Sequence, residues 1–266
     1  MPPGRTRDRL FVLALGLLGG LYVGLIAALV LADAAFTSSS AIVHALGDSN
    51  VRFAIRLSLL SSTVTTVLAL WVAVPLGYVL ARFHFPGKAL VDVLIDIPVV
   101  LPPLVVGVSL LILFRTAAGR WVEEIIPVTY AVPGVILAQF SVAAAFAVRT
   151  LRVAFEQIDP RAESVALTLG CSRAGAFWRV ALPEARRGVI AAATLTWARA
   201  IGEFGPVLVF AGATRMKTEV LPTTVYLELS VGNLETAIAV SLVMVAGAGV
   251  VLLVVRRAGA GPGGRA

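Results

Sequence analysis

Charge is scarce in this chain: Asp, Glu, Lys and Arg make up only 14% of its 266 residues, against 59% hydrophobic ones. Soluble domains carry about 25% charged and roughly 45–50% apolar residues, so a water-soluble globular protein is excluded. Cysteine is nearly missing. Cys171 stands alone, which rules out an intrachain disulfide and a cysteine-based metal cluster. The two histidines, His44 and His84, lie far apart in sequence and make no His-rich metal site. The phosphate-cradling pattern G-x4-G-K-[ST] does not occur, so no ATP site is expected in this chain. No nucleophile–base constellation or metal cluster emerges either, which argues against a membrane enzyme.

Long apolar runs are what the chain has instead. A bilayer core takes roughly 20 apolar residues in a helix, and six stretches qualify or nearly do, near 10–32, 55–81, 95–114, 132–150, 188–211 and 236–255. The expected fold class is therefore all-α: one polytopic membrane domain over residues 1–266 with about six transmembrane helices. The first run follows Arg5, Arg7 and Arg9 and ends at Ala32-Asp33-Ala34, which imitates a cleavage site. At 23 residues it exceeds the roughly 7–15 of a signal-peptide core, and it is read as an uncleaved span. Pro98, Pro102 and Pro103 interrupt the third run, which a membrane tolerates only where neighbours satisfy the freed backbone groups. Gly202, Gly205 and Pro206 predict a broken helix in the fifth, with Arg199 and Glu203 beside the break.

The net charge of +7 is chiefly a topology signal. With the N-terminus inside, fifteen Lys and Arg residues fall in inside segments and six in outside loops, the bias that places both termini in the cytoplasm. Nucleic acid is not an expected partner; membrane lipid is. Gly16, Gly20 and Gly24 form a stripe that fits intramolecular helix packing and a subunit contact equally. Ser62 and Thr66, in the run SLLSSTVTT, fit a polar translocation path or back-bonding to carbonyls of their own helix.

The longest inside loop, about 151–187, differs from everything around it. Val165, Leu167, Leu169, Phe177, Trp178, Val180 and Leu182 give it an apolar face, and arginines a polar one. Asp159-Pro160 predicts a helix start and Gly170 a helix end at a positive φ. A second short helix is expected to run to Leu182 and break at Pro183. Two short helices at a glycine corner make a projecting knob, either an interfacial element lying in the headgroups or a docking element for a cytoplasmic partner.

The segment DPRAESVALTLGCSRAGAFWRVALP resembles the cytoplasmic loop of binding-protein-dependent ABC transporter permeases, whose pattern is roughly E-A-A-x3-G-x9-I-x-L-P. Nine residues follow Gly170 before Val180-Ala181-Leu182-Pro183. The motif's glutamate falls on Ser164, with Glu163 one residue early; Val165 stands for the first alanine, Ala166 keeps the second, and Val180 replaces the isoleucine. DIPVVLPPLVVGVSLL (96–111) and the stretch from Trp197 to Ala237, containing GEFGPVLVFAG and KTEVLPTTVYLE, are similar to permeases of the molybdate, tungstate and sulfate import group, most of all its molybdate/tungstate branch.

That resemblance implies a type I ABC importer permease fold in the prokaryotic plasma membrane. It implies a second copy of the chain, two ATP-binding cassette ATPase subunits that bind ATP and Mg, and an extracytoplasmic oxyanion-binding protein. Glu163, Ser164, Val165, Ala166, Leu169 and Gly170, with Pro183, would form the element that couples to the ATPase. Ser62, Thr66, Pro102, Arg199, Gly202 and Glu203 are candidate translocation or gate residues. Arg199 and Glu203 stand four apart and are expected to pair or gate rather than ligate an anion, since Glu203 would repel one. An ion-coupled secondary transporter is the rival reading, but it would need more ionisable residues at mid-membrane.

Overall fold

The computed structural model describes the backbone of residues 4–259 and the side chains of residues 8–253. Of the basic residues used for orientation, Arg5, Arg7, Arg256, Arg257 and Arg265 have side chains outside that range. The elements in order are α1 (Gly4–Phe36), α2 (Ser39–Gly47), α3 (Ser49–Arg82), α4 (Lys88–Val100), α5 (Pro103–Arg115), α6 (Ala117–Ile125), α7 (Val132–Glu156) and α8 (Pro160–Thr168). Then come α9 (Arg173–Ala176), a π turn (Phe177–Ala181), α10 (Leu182–Glu184), α11 (Arg186–Ile201), a second π turn (Val207–Ala211), α12 (Leu221–Ser230) and α13 (Leu234–Gly259). No strand occurs among the described residues.

Four helices, α1, α3, α7 and α13, are long and apolar enough to cross a bilayer unbroken. The third expected span is not one helix. It is α4 and α5, bent by 114°, and the break falls at Leu101-Pro102 while Pro98 stays inside α4. Pro103 lacks an N–H and accepts the first turn of α5, where no intrahelical bond is needed, so the chain restarts there in a new direction. The fifth span is broken as expected: α11 stops at Ile201 and helical structure resumes at Gly205.

The core is the packing of α3, α7 and α11. Ala69, Ala73, Leu80, Ala147, Leu151, Phe155 and Ala192 are buried between them. Small residues let the axes come close, as membrane helices require in the absence of a hydrophobic drive between them. At Gly77 a Cβ would sit 3.0 Å from the Arg152 amide nitrogen, and at Gly188 it would sit 2.2 Å from the Ala154 Cβ. By contrast, none of the hydrophobic window of α1 is buried.

Pro183 corrects the sequence expectation. The helical path runs almost without interruption from Arg173 to Ile201, and Pro183 lies inside it. The π turn explains this: the Leu182 amide donates to the Phe177 carbonyl, five residues back. That wider turn shifts the hydrogen-bond register just ahead of the residue that has no N–H to give.

Candidate functional site: a projecting knob and two facing helix breaks

The knob begins at Asp159, whose carboxylate accepts from the Arg161 amide at 2.9 Å and caps α8. At the other end Gly170 has φ +86°. Its amide donates to the Leu167 carbonyl and that of Cys171 to Ala166, both at 3.0 Å, which is a Schellman closure. Ser172 then caps α9 by accepting from the Gly175 amide at 3.1 Å. The corner is thus fixed by backbone chemistry on both sides.

Glu163 is the residue that ties the knob to the bundle. It is 8% exposed. It accepts from the Tyr78 hydroxyl at 2.6 Å and from Arg82 Nε at 2.8 Å, while Arg82 Nη2 donates to the Ile158 carbonyl at 3.0 Å. Both carboxylate oxygens and two of the three guanidinium nitrogens thus have partners, the kind of satisfaction under which a buried ion pair is tolerated. Tyr78 in turn stands edge-on to Phe83, Phe155 and Phe177. Glu163 therefore faces inward to the end of α3. Ser164, at the motif's glutamate position, is exposed and donates to the carbonyl of Pro160.

The apolar face splits in two. Phe177, Ala181 and Leu182 pack inward, whereas Val165 is 57%, Leu169 82% and Trp178 63% exposed. Ala166 is half-buried and Gly170 and Pro183 are exposed. A Cβ at Gly170 would meet nothing within 4 Å. The outward surface is apolar, rigid and uncovered.

The second assembly lies in the bundle, where the two helix breaks meet. A Cβ at Gly205 would sit 3.0 Å from the Pro103 Cβ, and one at Gly107 2.9 Å from the Val209 Cβ and 3.0 Å from the Pro206 Cα. The break of the fifth span thus presses on the start of α5, one residue past Pro102. Gly202 has φ −87°, a value open to any residue; Gly205 is the glycine that the close approach demands. Glu203, 1% exposed, is ion-paired with Arg199 one turn earlier, and the Arg199 guanidinium lies 5.9 Å from the centroid of the Phe146 ring. The pairing expected from the spacing is present.

Ser62 and Thr66 are buried, and their hydroxyls donate to the Leu59 and Ser62 carbonyls at 3.3 and 2.7 Å. Of that stretch, Thr65 crosses to Gln139 Oε1 at 3.1 Å, and Ser58 accepts from the Leu221 amide at 2.8 Å. Ser62 and Thr66 are thus spent on their own helix, far along α3 from the knob.

Sequence reasoning missed three features. The inward role of Glu163 depends on Arg82, 81 residues away, and no local pattern signals it. A charged seam, Arg149 with Asp96 at 2.5 Å and Arg152 with Asp92 at 2.6 Å, joins α7 to α4; the i, i+4 spacing of the two aspartates was its only trace. Glu219 is fully buried with neither carboxylate oxygen hydrogen-bonded, and that burial raises its carboxyl above the ordinary range.

Fold and site together define a polytopic helical membrane subunit that presents a rigid apolar knob at one end and a broken helix pair within. The chain belongs to the family of binding-protein-dependent transport system inner membrane components, whose profile matches residues 73–259. It is 42% identical over 170 residues to the molybdate/tungstate transport system permease protein of Thermococcus kodakarensis, spanning 64% of this chain and 65% of that one. It is 39% identical over 205 residues to a probable molybdenum ABC transporter permease protein of Haloferax volcanii, 77% of this chain and 74% of that one. The sulfate transport system permease protein CysT of Escherichia coli is 34% identical over 196 residues, 73% of this chain and 71% of that one. Among solved structures, a bacterial alginate ABC transporter in complex with an alginate-bound periplasmic protein superposes with a TM-score of 0.73 over 96% of both chains. Its 17% identity makes this a likeness of fold alone.

Proposed function

We propose that the chain is the membrane-spanning subunit of an ATP-driven importer for a tetrahedral oxyanion, molybdate or tungstate. The observation that carries the importer reading is the knob: its outer surface offers Val165 and Leu169 to a partner, while Glu163 locks its inner surface to Arg82 and Tyr78. A surface so built transmits force. A cytoplasmic ATPase pair that closes on ATP would push the α8–Gly170 corner, and the Glu163 anchor would carry the displacement into α3. Through the nearly unbroken helical path of residues 173–201 it would reach the break at Gly202–Gly205 and the elbow at Pro102. Two copies of the chain, loaded by an extracytoplasmic binding protein, complete the assembly, which switches between two states biased by nucleotide and by the loaded binding protein.

Arg199 has its charge engaged by Glu203 and acts at the break as a strut or gate; selectivity then resides mainly in the binding protein. The identities to molybdate/tungstate permeases support that substrate, and the 34% identity to a sulfate permease supports sulfate as the second reading. Uptake of radiolabelled molybdate by cells expressing the chain with its partner subunits tests the two. Competition by tungstate and not by sulfate is the expected result. Strong competition by sulfate, or no molybdate uptake, transfers the assignment to sulfate or another anion.

A further inference from the structure

The segment between the knob and α11 runs level with the ends of two long helices. Phe177 lies 4.7 Å, ring to ring, from Tyr78, one turn before the end of α3 at Arg82. Gly188 crosses α7 at Ala154, two residues before the end of α7 at Glu156. Residues 177–188 therefore skirt the bundle level with the last turns of α3 and α7, at the end that carries the knob.

Two cavities flank this segment. One, of about 430 Å³, is apolar at every lining residue and includes Val67, Trp71, Val74, Trp178, Leu182 and Val189. Along α3 its wall lies 7 to 15 residues back from Arg82, roughly 10 to 22 Å along the helix at about 1.5 Å per residue and within its apolar span. The other, of about 530 Å³, is lined by Arg179, Val180, Pro183, Glu184, Arg186 and Arg187. All three arginines are exposed, and none takes part in an ion pair among the described residues. Trp71 and Trp178, the latter next to Arg179 in the chain, stand 77% and 63% exposed in the apolar cavity, the kind of side chain that marks a membrane–water boundary.

We propose that the paired cavities form a binding site for an anionic phospholipid, its phosphate held by Arg179, Arg186 and Arg187 and an acyl chain laid beside Trp71 and Trp178. Three guanidiniums against the single carboxylate of Glu184 favour an anionic over a zwitterionic headgroup, and guanidinium matches phosphate oxygens in a two-pronged geometry. The apolar groove supplies what a free anion does not use. Placing the headgroup on the cytoplasmic leaflet rests on the importer reading; the site itself does not. A lipid held there would brace the lever between knob and α11, so membrane composition would set transport rate.

The test uses the full-length chain in proteoliposomes, with Trp121→Phe and Trp197→Phe so that Trp71 and Trp178 alone report. Brominated phosphatidylglycerol is expected to quench the fluorescence at a roughly hundredfold lower mole fraction than brominated phosphatidylcholine, about fivefold for each of the three arginines. Replacing all three arginines by glutamine should abolish that preference while quenching by phosphatidylcholine stays as before, which shows an intact groove. Replacing them by lysine should retain most of it. Equal quenching by the two lipids, or a preference that survives the glutamine replacements, overturns the proposal. So does displacement by millimolar inorganic phosphate, which would mark a simple ion site, or the absence of quenching by either lipid, which would mean that protein covers the groove. The readout involves neither substrate nor ATPase, so its failure is separate from a failure of the importer reading.

Discussion

Glu163 sits at the junction of stability and function. Its side chain and that of Arg82 are each 10% exposed, so Glu163→Ala leaves an uncompensated guanidinium and a Tyr78 hydroxyl with no acceptor. The expected cost is about 3 kcal/mol, read as a lower thermal unfolding midpoint of the detergent-solubilised protein. Replacing the pair together, Glu163→Leu with Arg82→Met, should restore most of that stability and, if anchoring is the function, most of the uptake. Stability restored without uptake would assign Glu163 a role in docking itself. Gly170 separates the same two effects by another route. At φ +86° a leucine costs roughly 1–2 kcal/mol in backbone strain, yet the space around its Cβ is open within this chain. Gly170→Leu should therefore insert normally and lose uptake, whereas Gly170→Asn, whose side chain tolerates the left-handed region, should keep most of it. Normal uptake by Gly170→Leu would remove the corner from the coupling surface. Both caps of α8 were legible from Asp159, Pro160 and Gly170, because capping is chemistry between near neighbours. The direction of Glu163 was not, because it is decided by α3.

At the scale of elements, the breaks were legible and their meeting was not. Proline and glycine announce where a helix stops, but only the tertiary packing shows that Gly205 rests on Pro103 and Gly107 on Pro206. Pro183 misled for the complementary reason: a π turn absorbed a residue that ordinarily ends a helix. Because backbone atoms form the walls of both contacts, Gly107→Ala and Gly205→Ala should each destabilise the protein by about 1–3 kcal/mol. Gly16→Ala, which meets nothing within 4 Å in this chain, should leave its melting point unchanged. Equal effects at all three positions would mean that the elbow contact does not bear load. At the far end of the bundle, Glu123 of α6 holds the turn into α7 by accepting from the Val128 and Thr129 amides at 2.8 and 2.6 Å. Burial opposes its ionisation, but the Thr129 side chain and those two amides together outweigh it and hold the carboxyl below the ordinary glutamate value. With a depressed pKa the stabilisation is complete at neutral pH and is lost as pH falls through the folded-state value. The protection of amides in residues 126–131, measured as exchange relative to an unstructured chain at the same pH, should fall on acidification, and Glu123→Gln should show the lower protection already at pH 7. A loop equally protected in both proteins would remove Glu123 from that role.

The whole molecule is polarised. The knob, the Arg82–Glu163 anchor, the α4–α7 seam and the unpaired arginines gather at one end; α2, α6 and α12 occupy the other. The distribution of basic residues predicts that the knob end faces the cytoplasm, and the lone cysteine offers a direct check without any engineering. Cys171 follows Gly170 on the knob and is half-exposed, so a membrane-impermeant maleimide should label it in inside-out vesicles and spare it in right-side-out ones. A cysteine placed at Asn233 in a Cys171→Ser background, in the turn between α12 and α13, should give the reverse. The Asn233 amide donates to Glu228, so that variant must first be shown to insert. Labelling of Cys171 from outside would invert the molecule. The basic loop would then face away from the ATP-bearing compartment, and no ATPase could reach the knob. With the expected orientation, addition of the partner ATPase should slow the labelling of Cys171, because Val165 and Leu169 flank the same corner and a subunit seated on them shields the thiol. Protection that deepens when the ATPase closes on ATP would tie the nucleotide cycle to this surface. Protection that never appears would leave the knob an exposed interfacial element and return the coupling surface to be sought elsewhere on the same face.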